Sequence, residues 1–160
     1  MPFPRFSVLR SIDLPCSVEE LYDFHQDPGN MRNIMPAGSW PRLLKIEGAA
    51  SIAEEGAEFI VHLRLALFLP AFRWKTRWVT ADRPARLVDE SLESPFAHFL
   101  HEHRFRPLPE GGSRLTDHIM YALPLPWLTW PVSLTAVYWM LDSTLKARQE
   151  RTLAYFSDSE

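Results

Sequence analysis

The segment Phe99-Leu100-His101-Glu102-His103-Arg104-Phe105 alternates strictly in character. Successive side chains of a strand point to opposite faces, so Phe99, His101, His103 and Phe105 share one face while Glu102, Arg104 and Arg106 share the other. The charged set is expected to meet water, which turns two histidines, flanked by two phenylalanines, toward whatever the sheet encloses. Downstream, Pro107-Leu108-Pro109-Glu110-Gly111-Gly112 reads as a turn, and a second alternating run places Leu115, Asp117, Ile119 and Tyr121 on one face. With Phe105 opposite Leu115, His103 faces Asp117 and His101 faces Ile119, giving an apolar wall with a His/Asp pair set in it. A four-residue turn without a bulge would instead set His103 against His118 and move Asp117 to the outer face.

A histidine among aromatics is commonly a core residue with satisfied hydrogen bonds, and an H-x-H on a strand can also hold a metal. No metal is assigned from the sequence: the cupin pattern is excluded because the next acid, Glu110, falls in a proline-rich turn. No nucleophile motif, phosphate loop or cofactor fingerprint accompanies the histidines, so no cofactor is expected.

Outward from this segment, strand follows strand from Arg42 to Thr116, at turn spacings that suit an antiparallel meander. The expected strands are 42 to 48, 57 to 68, 72 to 82, 85 to 93, 98 to 106 and 113 to 123. In the second, Phe59, Val61, Leu63, Leu65 and Leu67 oppose Glu58, His62 and Arg64; in the third, Trp74, Thr76 and Trp78 oppose Arg73, Lys75 and Arg77. Residues 5 to 13 form a first strand through Phe6, Val8, Arg10 and Ile12. Ser17 and Glu20 make a capping box for a short helix ending near His25, and a second short helix spans Met31 to Met35. From about Pro131 to Phe156 the pattern is helical: Leu134, Val137, Leu141, Leu145 and Phe156 follow the 3.6 period, with Lys146, Arg148, Glu150 and Arg151 on exposed flanks.

The 160 residues suit one domain, 1–160, and 46% hydrophobic with 12% aromatic residues suffices for a core or a lined cavity. A formal charge of -3 gives no global attraction for nucleic acid or anionic lipid. The single cysteine, Cys16, excludes an internal disulfide, and Met1-Pro2-Phe3-Pro4-Arg5 lacks a signal-peptide core, so the cytoplasm is the expected location. Ile119 to Leu141 carries no formal charge, but Pro124, Pro126 and Pro131 break any spanning helix, so stable membrane insertion is not expected. Surface contact with a membrane through Trp127, Leu128 and Trp130 is the lesser alternative.

One strand, two short helices, six strands and a long terminal helix leave an antiparallel sheet whose apolar face needs that helix as cover. This order resembles the START/SRPBCC superfamily. The likeness is carried by Pro95-Phe96 before an aromatic-x-His-x-His-x-Phe strand, by Leu115-Thr116-Asp117 and by Tyr121-x-Leu123-Pro124. The chain looks most like the polyketide cyclase/dehydrase and lipid transport branch, with the helix-grip fold of the birch pollen allergen. Ser94 stands where related sequences usually have Gly, and Phe99 where they often have Trp. The resemblance implies an α+β helix-grip: a curved seven-stranded antiparallel sheet around the C-terminal helix, enclosing a cavity for a small hydrophobic ligand.

Two functions follow. The first is a carrier or sensor whose ligand, lipid-, polyketide- or aromatic-like, meets Trp74, Trp78, Phe99, Ile119, Tyr121 and Leu141, with His101, His103 and Asp117 as polar contacts. The second is a polyketide cyclase/aromatase or dehydratase, in which His103 oriented by Asp117 is the base and His101 or Tyr121 the donor. A solid core with no ligand is the plain alternative to both, and oligomeric state is left open.

Overall fold

The structure is a computed structural model describing residues 5–35, 38, 41–48, 52–64, 67–124, 131 and 133–158. Strand β1 (Phe6–Leu14) leads into helix α1 (Val18–His25), a 3-10 turn (Pro28–Asn30) and helix α2 (Met31–Ile34). Six strands follow: β2 (Arg42–Glu47), β3 (Glu58–Arg64), β4 (Phe72–Asp82), β5 (Arg86–Glu93), β6 (His98–Pro107) and β7 (Ser113–Ala122). A π-helical turn (Ser133–Val137) then runs into the long helix α3 (Tyr138–Ser157). All seven strands join one antiparallel sheet in the order β1-β7-β6-β5-β4-β3-β2, so the meander is closed at one edge by the first strand.

The fold is therefore the expected helix-grip, and its differences from the sequence reading are local. Strand β3 is described only to Arg64, and Leu67, expected on its inner face, lies in a turn with 78% of its surface exposed. Leu65 and the Trp127, Leu128 and Trp130 corner lie outside the described residues. Pro131 is helical, as expected, but the helix is not regular throughout: a π turn spans Ser133–Val137 before the α geometry of Tyr138–Ser157. No helix among the described residues is long and apolar enough to cross a membrane.

Local chemistry explains the scaffold. In the capping box, Ser17 Oγ accepts from the Glu20 amide at 3.2 Å and Glu20 Oε2 accepts from the Ser17 amide at 2.9 Å. The helix thus started buries Leu21, Tyr22 and Phe24, and Tyr22 meets Phe105 edge-on at 5.5 Å. Helix α3 lays Leu141, Leu145, Gln149 and Thr152 inward. Arg10, the polar member of the inner face of β1, is accounted for by Asp142 on α3, 2.7 Å away.

The β6–β7 register is set at its turn. Pro107 pairs with Ser113, which leaves the five residues Leu108 to Gly112 in the loop, and Phe105 stands opposite Leu115. Gly111 and Gly112 both take positive φ, +97° and +79°. A Cβ on Gly112 would lie 2.4 Å from the Leu14 carbonyl oxygen, whereas one on Gly111 would meet nothing within 4 Å. Gly111→Ala should therefore cost about 1–2 kcal/mol of left-handed strain. Gly112→Ala should cost clearly more, because it adds a clash with backbone. Urea unfolding of the two variants checks this; equal midpoints would contradict the close approach.

Candidate functional site

Between the concave face of the sheet, α1–α2 and α3 lies a cavity of about 140 Å³. Its floor is the inner face of β3 to β7, with Val61, Trp74, Thr76, Trp78, Phe99 and Ile119. Met140, Leu141, Thr144 and Leu145 of α3 close it from above, and Phe24, His25, Met31 and Ile34 close one side. One wall is an aromatic cluster: Trp74 meets Phe99 edge-on at 4.9 Å, and Phe96 lies 5.5 Å from Trp74 and 5.1 Å from Phe99. Another is polar, formed by His101, His103 and Asp89, while Arg148 reaches the lining from α3.

The polar wall is held by one carboxylate. Asp117 Oδ1 accepts from His103 Nδ1 at 2.8 Å and from His101 Nε2 at 3.1 Å, and Asp117 Oδ2 accepts from Gln149 Nε2 at 2.7 Å. These bonds leave the other nitrogen of each ring, His103 Nε2 and His101 Nδ1, without a claim from Asp117. His103 Nε2 lies 3.5 Å from Asp89 Oδ2. Asp89 sits on the inner face of β5, directly across from His101 in the ladder.

Burial pushes the Asp117 carboxyl up, but the bonds from His101 and His103 outweigh it and hold the group well below the usual carboxylate range. Burial lowers His103, and its hydrogen bond to Asp117 together with the nearby Asp89 carboxylate more than restores it, so its pKa lies above the ordinary imidazole value. His101, buried and beside the His103 charge, is pushed down to about 4 despite Asp117. His25 falls to about 3 through burial and the same neighbouring charge; its ring centroid is 5.6 Å from that of His103. One imidazole whose charged form is favoured, His103, thus stands between two carboxylates and beside two imidazoles whose neutral form is favoured, His101 and His25.

Of the residues singled out in the sequence, Trp74, Trp78, Phe99, His101, His103, Ile119 and Leu141 line the cavity. Asp117 does not reach it and stands one layer back, where it orients the histidines. Tyr121 is also absent from the lining: it is fully buried against Phe6 and Phe96, at 5.7 and 5.8 Å, and burial raises its phenol to about 12. Arg148, expected on an exposed flank, is half-buried at the lining instead.

Glu102 is a further correction. It lies on the outer face, yet only 5% of its side chain is exposed, because Arg86 and Arg104 cover it at 2.6 and 2.7 Å. Sequence reasoning passed over Asp89 entirely. The available signal was its place between Leu87 and Ser91 on the inward alternation of β5, a carboxylate where an apolar residue is the rule.

A family described as polyketide cyclase/dehydrase and lipid transport matches residues 5–157. Among solved structures, the protein TTHA0849 of Thermus thermophilus is 22% identical with a TM-score of 0.65, covering 95% of this chain and 99% of its own. A Rhodobacter sphaeroides protein is 17% identical with a TM-score of 0.71, over 98% of this chain and 93% of its own. Norcoclaurine synthase of Thalictrum flavum, solved with dopamine and hydroxybenzaldehyde, is 12% identical with a TM-score of 0.66, over 95% of this chain and 88% of its own. No curated protein matches the chain. The structural likenesses establish a shared fold, and the match across residues 5–157 establishes the family: the chain belongs to the polyketide cyclase/dehydrase and lipid transport family of the START/SRPBCC superfamily.

Proposed function

We propose that this protein binds a compact, ring-bearing hydrophobic molecule in the cavity beneath α3, as a carrier or sensor. The observation that carries the reading is the cavity itself: apolar on most sides, with an aromatic wall, a polar wall and a volume of about 140 Å³. An apolar cavity of roughly 150 Å³ accepts a benzene-sized ring. A long acyl chain is therefore a poor fit unless it extends out of the cavity, and the lipid alternative is the weaker one. Trp74, Trp78, Phe99, Ile119 and Leu141 supply the apolar contact, and His101 and His103 are the polar contacts that orient the ligand. Asp117 acts through the two imidazoles. The Arg148 guanidinium has no hydrogen bond or ion pair among the described residues and is placed to take an acidic or carbonyl group of the ligand.

The cyclase or dehydratase reading has one observation in its favour. Asp117 fixes both imidazoles so that each keeps a nitrogen free of it, which is how a general base and acid are presented to a bound substrate. His101 and His103 both line the cavity, and Tyr121 is not among its described lining residues, so the two imidazoles are the pair assigned to those roles.

Native mass spectrometry of the purified protein, with organic extraction, should show a bound molecule of one or two rings. In a displacement assay with an anilinonaphthalene dye, Thr144→Phe, which adds a ring to the cavity from α3, should weaken binding at least about tenfold with an unchanged melting temperature. Unchanged dye affinity in this variant would sink the cavity as the binding site. Arg148→Ala should abolish any preference for 2-naphthoate over 2-naphthol as displacer, and a preference that survives would remove Arg148 from the site. For the second reading, the protein should cyclise or dehydrate a linear aromatic polyketone, and Asp117→Asn should cut turnover about 100-fold, on the scale of a misoriented acid/base pair. Equal turnover in Asp117→Asn and the parent would eliminate it.

A further inference from the structure

We infer that Asp89, His101 and His103 form a binding site for a divalent transition-metal ion at the polar wall of the cavity, with Asp117 as the positioning residue behind it. One donor atom from each of the three lies within 4.8 Å of the other two. The three come from two adjacent strands, with Asp89 and His101 paired across the β5–β6 ladder and His103 next on the same face as His101. A three-residue donor set with the cavity on its open side is the arrangement of a site that keeps positions for water or substrate.

The orientation of the rings is a second, independent observation. Histidines that hold metals almost always donate their other ring N–H to a carboxylate or carbonyl, which fixes the tautomer. Here a single carboxylate serves both rings: Asp117 Oδ1 takes His101 Nε2 and His103 Nδ1, leaving His101 Nδ1 and His103 Nε2 as the donor nitrogens. Asp117 is itself fixed by Gln149. A structural His/Asp contact would already be complete at this point and does not call for Asp89.

The gap between Asp89 and His103 points the same way. At 3.5 Å, Asp89 Oδ2 and His103 Nε2 are too far apart for a short charge-assisted hydrogen bond. With metal–ligand bonds of about 2.0–2.2 Å, two ligands on one ion sit roughly 3–3.5 Å apart, so this pair already has the spacing of a shared ion. With every pair within 4.8 Å, the widest closes by at most about 1.3–1.8 Å to reach that spacing, within reach of side-chain rotation. Imidazole with carboxylate suits zinc or iron(II), whereas calcium and magnesium prefer oxygen throughout. The inference is independent of the organic ligand proposed above, because the ion alone is the probe.

Chelator-treated protein should bind one equivalent of zinc(II) by calorimetry, and cobalt(II) should give the visible absorption of a low-symmetry site. Asp89→Ala and His101→Gln should each abolish both signals with the circular dichroism spectrum retained, while His62→Ala, on the opposite face of β3, should leave them intact. Asp117→Asn should weaken zinc binding about 10–100-fold and shift the cobalt spectrum. Gln149→Met, which frees Asp117 Oδ2, is the milder variant and should act in the same direction. Absence of stoichiometric zinc binding, or binding that survives both Asp89→Ala and His101→Gln, would overturn the site. Unchanged affinity and cobalt spectrum in both Asp117→Asn and Gln149→Met would overturn the positioning role.

Discussion

A carboxylate that is removed from water must be compensated where it stands, and in this fold that carboxylate is Asp117. Only 4% of the residue is exposed, and leaving such a charge unpaired costs several kcal/mol. Its compensation comes from His101 and His103 on β6 and from Gln149 on α3. Gln149 Nε2 also reaches the Arg10 carbonyl of β1 at 3.2 Å. One group on β7 therefore ties together both neighbouring strands and the helix that closes the sheet. Hydrophobic contact through Leu141 and Leu145 supplies attraction between helix and sheet, but it is non-directional. The Asp117 network fixes the rotation and height of α3, and the Arg10–Asp142 ion pair fixes them a second time nearer the start of the helix.

The same network makes the cavity asymmetric. Asp117 and Asp89 favour charge on His103, while burial and that charge keep His101 and His25 neutral. The Trp74, Phe96 and Phe99 cluster offers aromatic surface elsewhere in the cavity. A molecule entering such a cavity is oriented before any specific contact is optimised, because reversing it would bury its polar group against rings and its ring against charge. Under the proposed function, the feature that stabilises the sheet–helix interface would also set which way a ligand lies.

Much of this was legible in the sequence because it rests on periodicity. The alternation from Phe99 to Phe105 gives the strand and its inner face, and the long Pro107–Gly112 connection with two adjacent glycines supports the register that sets His103 opposite Asp117. What the sequence obscured depends on the third dimension. Glu102 follows the outward alternation but disappears beneath two arginines, one of them from the neighbouring strand. Tyr121 shares the inward face with Asp117 and Ile119, yet it is packed against Phe6, its ladder partner on β1, and Phe96. Arg148 follows the polar face of a helical wheel, but the cavity edge reaches that far around α3. Asp89 was missed for a different reason: its partner in the ladder, His101, lies 12 residues away, and only strand pairing makes them neighbours.

This division also explains how the fold can persist while the chemistry of the cavity changes. Sheet order, strand register and helix placement are satisfied by patterns that many sequences can write, and chains only 12–22% identical to this one share the architecture at TM-scores of 0.65–0.71. Cavity chemistry, by contrast, depends on a few inward positions whose replacement leaves those patterns intact. An apolar residue at Asp89 would preserve the alternation of β5 while removing one of the two carboxylates that face His103. Phe99 belongs to the aromatic cluster and lines the cavity, where a larger ring would be felt directly by its 140 Å³. Asp117 belongs to both categories: as the compensated charge it is part of the architecture, and through the tautomers of His101 and His103 it determines which atoms the cavity presents.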